Sequence, residues 1–142
     1  YRGPGVSLLD PTRDLLIQFR VRGTGAREAT AFSRIMRPQG VALPILGCAV
    51  WVRLSDDLAH YESARACIAP TGPTPERTTV VEEALAGKPA NAETIQAVIQ
   101  IATEALHPRT SKYRATAEYR KEMIGVLLER TLTSAVERAK GG

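Results

Sequence analysis

The chain has 142 residues, 44% hydrophobic and 24% charged, with 19 basic and 15 acidic side chains, a formal charge of +4 and a pI near 9.4. That composition excludes disordered and fibrous chains and leaves one ordinary globular domain, large enough to bury roughly 68–70% of its unfolded surface without disulfides or a metal. No apolar run approaches the roughly 18 residues of a membrane span and no charged-then-apolar leader opens the chain, so a cytoplasmic protein without a membrane span is expected.

The charge is uneven. The first 40 residues hold seven arginines (Arg2, Arg13, Arg20, Arg22, Arg27, Arg34, Arg37) against Asp10, Asp14 and Glu28, while the remaining 102 hold 12 basic and 12 acidic side chains. An excess made of arginine alone favours bidentate contacts with phosphate or carboxylate over diffuse solubility charge. The plain alternative is a solvated edge strand with salt bridges to Asp10, Asp14 and Glu28. The chain begins with Tyr1 rather than Met, as expected of a piece of a longer polypeptide.

Residues 15–22 alternate Leu15, Ile17, Phe19 and Val21 with Leu16, Gln18, Arg20 and Arg22, the period of a half-buried strand. A turn at Gly23-Thr24-Gly25 follows. Residues 29–37 form a weaker strand, with Phe32, Arg34 and Met36 on one face and Ser33, Ile35 and Arg37 on the other, and Pro38-Gln39-Gly40 breaks it. From Leu43 to Leu54 the chain is almost continuously apolar, and Asp56-Asp57 turns it into a fourth strand around Ser63–Ala69. The result is a small antiparallel sheet.

After Pro70 the period changes to 3.6. Thr74 is expected to cap a first helix with Pro75 at its first position, ending at Gly87. Asn91 caps a second helix, whose Ile95, Val98, Ile99, Ala102 and Leu106 share a face and which ends at His107-Pro108. A third runs from about Thr116 to Ala139, with Tyr119, Met123, Ile124, Leu127, Leu128, Thr131 and Ala135 buried and Glu118, Arg120, Lys121 and Glu122 facing water. Strands followed by helices predict an α+β fold, a three- to four-stranded antiparallel sheet covered on one face by three helices.

The residues suggest little chemistry of their own. His60 and His107 lack partners at ligand spacing, so no metal site and no catalytic residue is expected. Cys48 and Cys67 lie in apolar stretches and read as free thiols. Gly23-Thr24-Gly25 has Glu28 where a phosphate loop needs glycine, and a strand after it where such a loop needs a helix. A basic nucleic-acid-binding or scaffold module is the alternative reading, but seven aromatic residues give few stacking platforms and the neutral remainder makes no basic stripe.

Three stretches in order carry a resemblance that covers essentially the whole chain. Gly3-Pro4-Gly5 with Leu8-Leu9-Asp10-Pro11 and Asp14-Leu15-Leu16 resembles the end of the FAD-binding domain in the flavoprotein (medium) subunit of molybdenum hydroxylases, the xanthine dehydrogenase and carbon monoxide dehydrogenase family. Residues 69–77 (APTGPTPER) with 81–89 (VEEALAGKP), and then 113–121 (YRATAEYRK), resemble that family's C-terminal domain. The resemblance implies residues 1–28 as the tail of the preceding domain and a junction strand, and 29–142 as the C-terminal domain.

It also implies an oxidoreductase subunit that is inactive as a fragment. Electrons would pass from a molybdopterin large subunit through [2Fe-2S] clusters of a small subunit to FAD, held mainly by the preceding domain, and on to an acceptor such as NAD. The partners are then that N-terminal FAD-binding domain and the two other subunits. This domain closes over the isoalloxazine, with Leu15 as an apolar contact and the loop after Phe32, residues 33–40, covering the flavin through Ser33, Arg34 and Arg37. The chain departs from the family pattern there, since Ser33 and Arg34 stand where a lysine is common and residues 40–44 (GVALP) where an acid and an apolar pair are common.

Overall fold

A computed structural model describes residues 1–36 and 43–141. Three strands, β1 (Glu28–Met36), β2 (Pro44–Leu54) and β3 (Tyr61–Ala69), form an antiparallel sheet in the order β1-β2-β3. Three helices follow, α1 (Thr79–Leu85), α2 (Ala92–Ala105) and α3 (Ala117–Gly141). The fold is therefore the expected α+β arrangement, with three strands rather than four.

β2 is apolar nearly throughout because it is central. Its Leu46, Cys48, Val50, Val52 and Leu54 point to the helices and are buried, while Gly47, Ala49, Trp51 and Arg53 point the other way. Ala66 and Ile68 of β3 and Ala29 and Ala31 of β1 complete the inner face. Against it lie Val81 and Leu85 of α1, Ile95, Val98 and Ala102 of α2, and Ile124, Leu127, Leu128, Leu132 and Ala135 of α3. Gly125 lets α2 and α3 approach, since a Cβ there would stand 3.0 Å from Ile99 Cγ2.

The strand expected over 15–22 does not form. The segment has no regular structure and is unpaired, and Leu15, Ile17, Phe19 and Val21 are all exposed, Leu15 at 84%. A strand needs a neighbour for its backbone groups, and 15–22 pairs with no described strand. At the β3 edge the Ile68 N–H donates to Thr78 Oγ1 (3.1 Å), the Ala66 N–H to Glu82 Oε1 (3.0 Å) and the Tyr61 N–H to the Lys88 carbonyl (2.9 Å). At the β1 edge, Arg138 Nη1 of α3 donates to the Thr30 carbonyl (2.8 Å).

The same edge contacts explain why α1 begins late. Thr74 and Pro75 lie in the preceding loop, Thr78 is the N-cap, and its hydroxyl accepts from β3 rather than from the helix. Gly87, at φ +71°, follows the C-cap Ala86 as expected. Asn91 caps α2 by accepting from the Thr94 N–H (2.9 Å). In α3 two expectations fail together. Tyr119 is exposed, and Arg120, expected in water, is buried.

Candidate functional site

Helices cover one face of the sheet, so its other face is the surface left for function. Alternation along the strands places Thr30, Phe32, Arg34 and Met36 of β1 there, with Gly47, Ala49, Trp51 and Arg53 of β2 and Arg65 and Cys67 of β3. Phe32 is 64% exposed, which is costly for an aromatic ring unless something covers it. It lies across small residues. Ala49 is its cross-strand partner, and a Cβ on Gly47 would meet the Phe32 ring at 3.5 Å. Beside it the Trp51 ring carries two guanidiniums, Arg65 at 5.4 Å and Arg53 at 5.9 Å from its centre. Phe32, Ala49, Trp51 and Cys67 share a shallow trough of about 490 Å³ with Arg65, Arg77 and Arg138 at its margins.

One end of this face is tied to the N-terminal segment through Glu28. Its carboxylate, 8% exposed as a residue, accepts from the Gly25 N–H (3.0 Å), Arg53 Nε (2.8 Å) and Arg22 Nη2 (2.7 Å). The backbone donor at Gly25, and next to it Arg53, hold its pKa down to about 2. Arg27 is also engaged, donating to the Leu54 carbonyl (2.7 Å) and pairing with Asp56 (2.8 Å). Arg22 and Arg27, two of the seven early arginines, are thus accounted for by ion pairs of the fold, and Arg13 lies 4.0 Å from Asp10.

Arg34 is on the open face, exposed and without an ion pair among the described residues. Ser33 points the opposite way, half-buried beside Cys48. Both belong to β1 and not to a loop, because the ladder to β2 continues as far as Met36 opposite Pro44. Arg37 and the rest of the expected covering loop, 37–40, lie outside the described residues. Leu15 sits in the unpaired N-terminal segment, apart from any of these contacts. Sequence reading missed Phe32 and Trp51 as the aromatic content of the face, although the one-face helix cover and the alternation through Phe32 were its available signals.

The thiols are free, Cys48 buried and pushed up to about 11 by that burial, Cys67 half-exposed on the open face. Among the described residues no group of three His, Cys, Asp or Glu side chains could hold a metal ion, and no helix is long and apolar enough to cross a membrane.

This fold is shared with known proteins. Residues 30–135 match the CO dehydrogenase flavoprotein C-terminal domain. The chain belongs to that family. A xanthine dehydrogenase FAD-binding subunit of Escherichia coli O157:H7 is 29% identical over 96 residues, 68% of this chain and 32% of its own. The Escherichia coli K12 protein XdhB, whose name assigns it the same role, is 27% identical over 99% of this chain and 47% of its own length. The chain therefore spans less than half the length of the curated relatives it matches. Among solved structures, carbon monoxide dehydrogenase from Hydrogenophaga pseudoflava superposes with a TM-score of 0.73 at 27% identity, covering 83% of this chain and 40% of that one. Quinoline 2-oxidoreductase from Pseudomonas putida 86 shares the fold at a TM-score of 0.68 and 18% identity, covering 79% and 38% of the two chains.

Proposed function

We propose that this flavoprotein domain serves a molybdenum hydroxylase-type oxidoreductase, as the C-terminal domain of its FAD-binding subunit, with the open sheet face closing over the isoalloxazine side of the flavin. The family match over 30–135, together with a sheet face that the helices leave bare, carries this reading. Residues 1–28 are then the tail of a preceding FAD-binding domain and the junction, and 29–142 the C-terminal domain.

The residues fit one wall of a flavin site. Phe32 and Trp51 offer aromatic planes, and the small side chain of Ala49 leaves room in the trough for a flat ring. The strand residues lining the trough include no glycine-rich loop that could cradle a diphosphate, so the preceding domain holds that part. When bound, a flavin takes up electrons from one partner and passes them to another, here from the [2Fe-2S] small subunit that serves a molybdopterin large subunit. The tasks of this chain are to exclude water with Phe32 and to set the local charge with Arg34 and Arg37, whose fixed positive charge favours negative charge nearby. The domain alone is inactive, and the holoenzyme's substrate is chosen elsewhere.

Arg34→Ala and Arg37→Ala in the intact complex test this. Loss of one charge-assisted contact, about 1.5 kcal/mol, is expected to change flavin affinity or the rate of its reduction by roughly tenfold. If flavin content and reduction rate are both unchanged in both variants, the two arginines are solvated surface and the assignment of this face fails.

A further inference from the structure

An opening of about 540 Å³ at the start of α3 shares no lining residue with the trough on the open sheet face. Leu43 and Pro70 wall it on the sheet side. The turn before α3 walls the other, held by the Ser111 N–H donating to the Ala115 carbonyl (2.9 Å), the Arg114 N–H to the Ser111 carbonyl (3.1 Å) and the Ala117 N–H to Thr110 Oγ1 (3.0 Å). This turn brings Arg109 and Arg114 to the same cavity as Arg120 of the first turn of α3.

Arg120 is the telling residue. It is 2% exposed, its Nε is sealed from solvent without an acceptor, and no described group accepts from its guanidinium. None of the three arginines forms an ion pair among the described residues, and the 37–42 segment contributes no acid by sequence. From Arg109 to Lys121 the chain carries Arg109, Lys112, Arg114, Arg120 and Lys121 against Glu118 alone. Burial, and after it the positive charges of Arg114 and Arg109, push the pKa of Arg120 down. A buried guanidinium facing two others is strongly unfavourable unless an anion joins them, and burial of this kind is normally compensated by pairing. The Thr110, Ser111 and Tyr113 hydroxyls line the cavity as further donors.

We infer that this cavity is a binding site for a phosphate-type oxyanion, held by Arg109, Arg114 and Arg120 with the hydroxyls of Thr110, Ser111 and Tyr113. Three forked cations without an acidic counter-charge suit a doubly charged, many-acceptor group better than a single carboxylate. The cavity shares no lining residue with the trough proposed to meet the flavin, and it stands whether or not that proposal does.

Calorimetric titration of the intact, FAD-loaded subunit with inorganic phosphate at constant ionic strength tests it. Saturable one-to-one binding is expected, weakened at least tenfold in the Arg109→Gln, Arg114→Gln double variant, whose side chains are not core, and no comparable heat with acetate. A parallel titration with adenosine monophosphate assigns the source. Tighter binding than inorganic phosphate points to a phosphate monoester, equal or weaker binding to the free ion. Phosphate binding no stronger than chloride, equal binding in the double variant, or stronger binding of acetate would each overturn the site.

Discussion

At the scale of single residues, the decisive contacts are buried acceptors that the sequence pattern does not mark. Glu28 is depressed to about 2 from its ordinary 4.5, so the stability it contributes is complete above about 4.5 and is lost as the pH falls toward 2. The melting temperature of wild type should therefore fall more steeply than that of Glu28→Gln across that window. Parallel curves would show that the Gly25 and Arg53 contacts add nothing. Thr78 makes the second case. Thr78→Val leaves the buried Ile68 N–H without an acceptor, an expected loss of about 1–3 kcal/mol in denaturant unfolding. A loss below about 0.5 kcal/mol would mean that the β3 edge finds another partner. Neither residue was legible as a structural ligand, because Glu28 read only as a counter-charge and Thr78 was overshadowed by the better local cap at Thr74-Pro75.

At the scale of elements, periodicity located β1, α2 and α3, and a continuous apolar run with the turn after it located β2 and β3, each within a few residues. Periodicity failed where an element needs a partner that a period cannot reveal. Residues 15–22 have strand alternation but pair with no described strand, so limited trypsin digestion of the isolated chain should cut first after Arg20 or Arg22 and leave a fragment that still melts cooperatively. First cuts within residues 43–141 would contradict the unpaired reading. The α2–α3 contact offers a test of close approach. Gly125→Ala gains roughly 1 kcal/mol of helix propensity but sets its Cβ 3.0 Å from Ile99 Cγ2. The gain should appear in an Ile99→Ala background and be reduced in the wild-type one, a coupling of about 0.5–1 kcal/mol or more in a double-mutant cycle. Additive effects would show that Ile99 yields freely.

At the scale of the whole molecule, the amino-acid sequence determined the class and order of elements, because a run of strands followed by a run of helices buries both sets of apolar faces when the helices are segregated on one side of the sheet. It also carried the family, through three ordered stretches spread along the chain. The tertiary structure alone decided which faces stay free. Arg120 shares a cavity with Leu43 and Pro70 only in the folded chain, and exposure of Phe32 depends on α1, α2 and α3 all packing on the opposite face. Both are relations between residues far apart in sequence, where local period and composition carry no information about distance. The uneven arginine content divides accordingly. Arg22 and Arg27 stabilise the fold through ion pairs and Arg34 is left on the open face. The cluster of Arg109, Arg114 and Arg120, drawn from a charge-balanced part of the chain, becomes strongly positive only once the chain is folded.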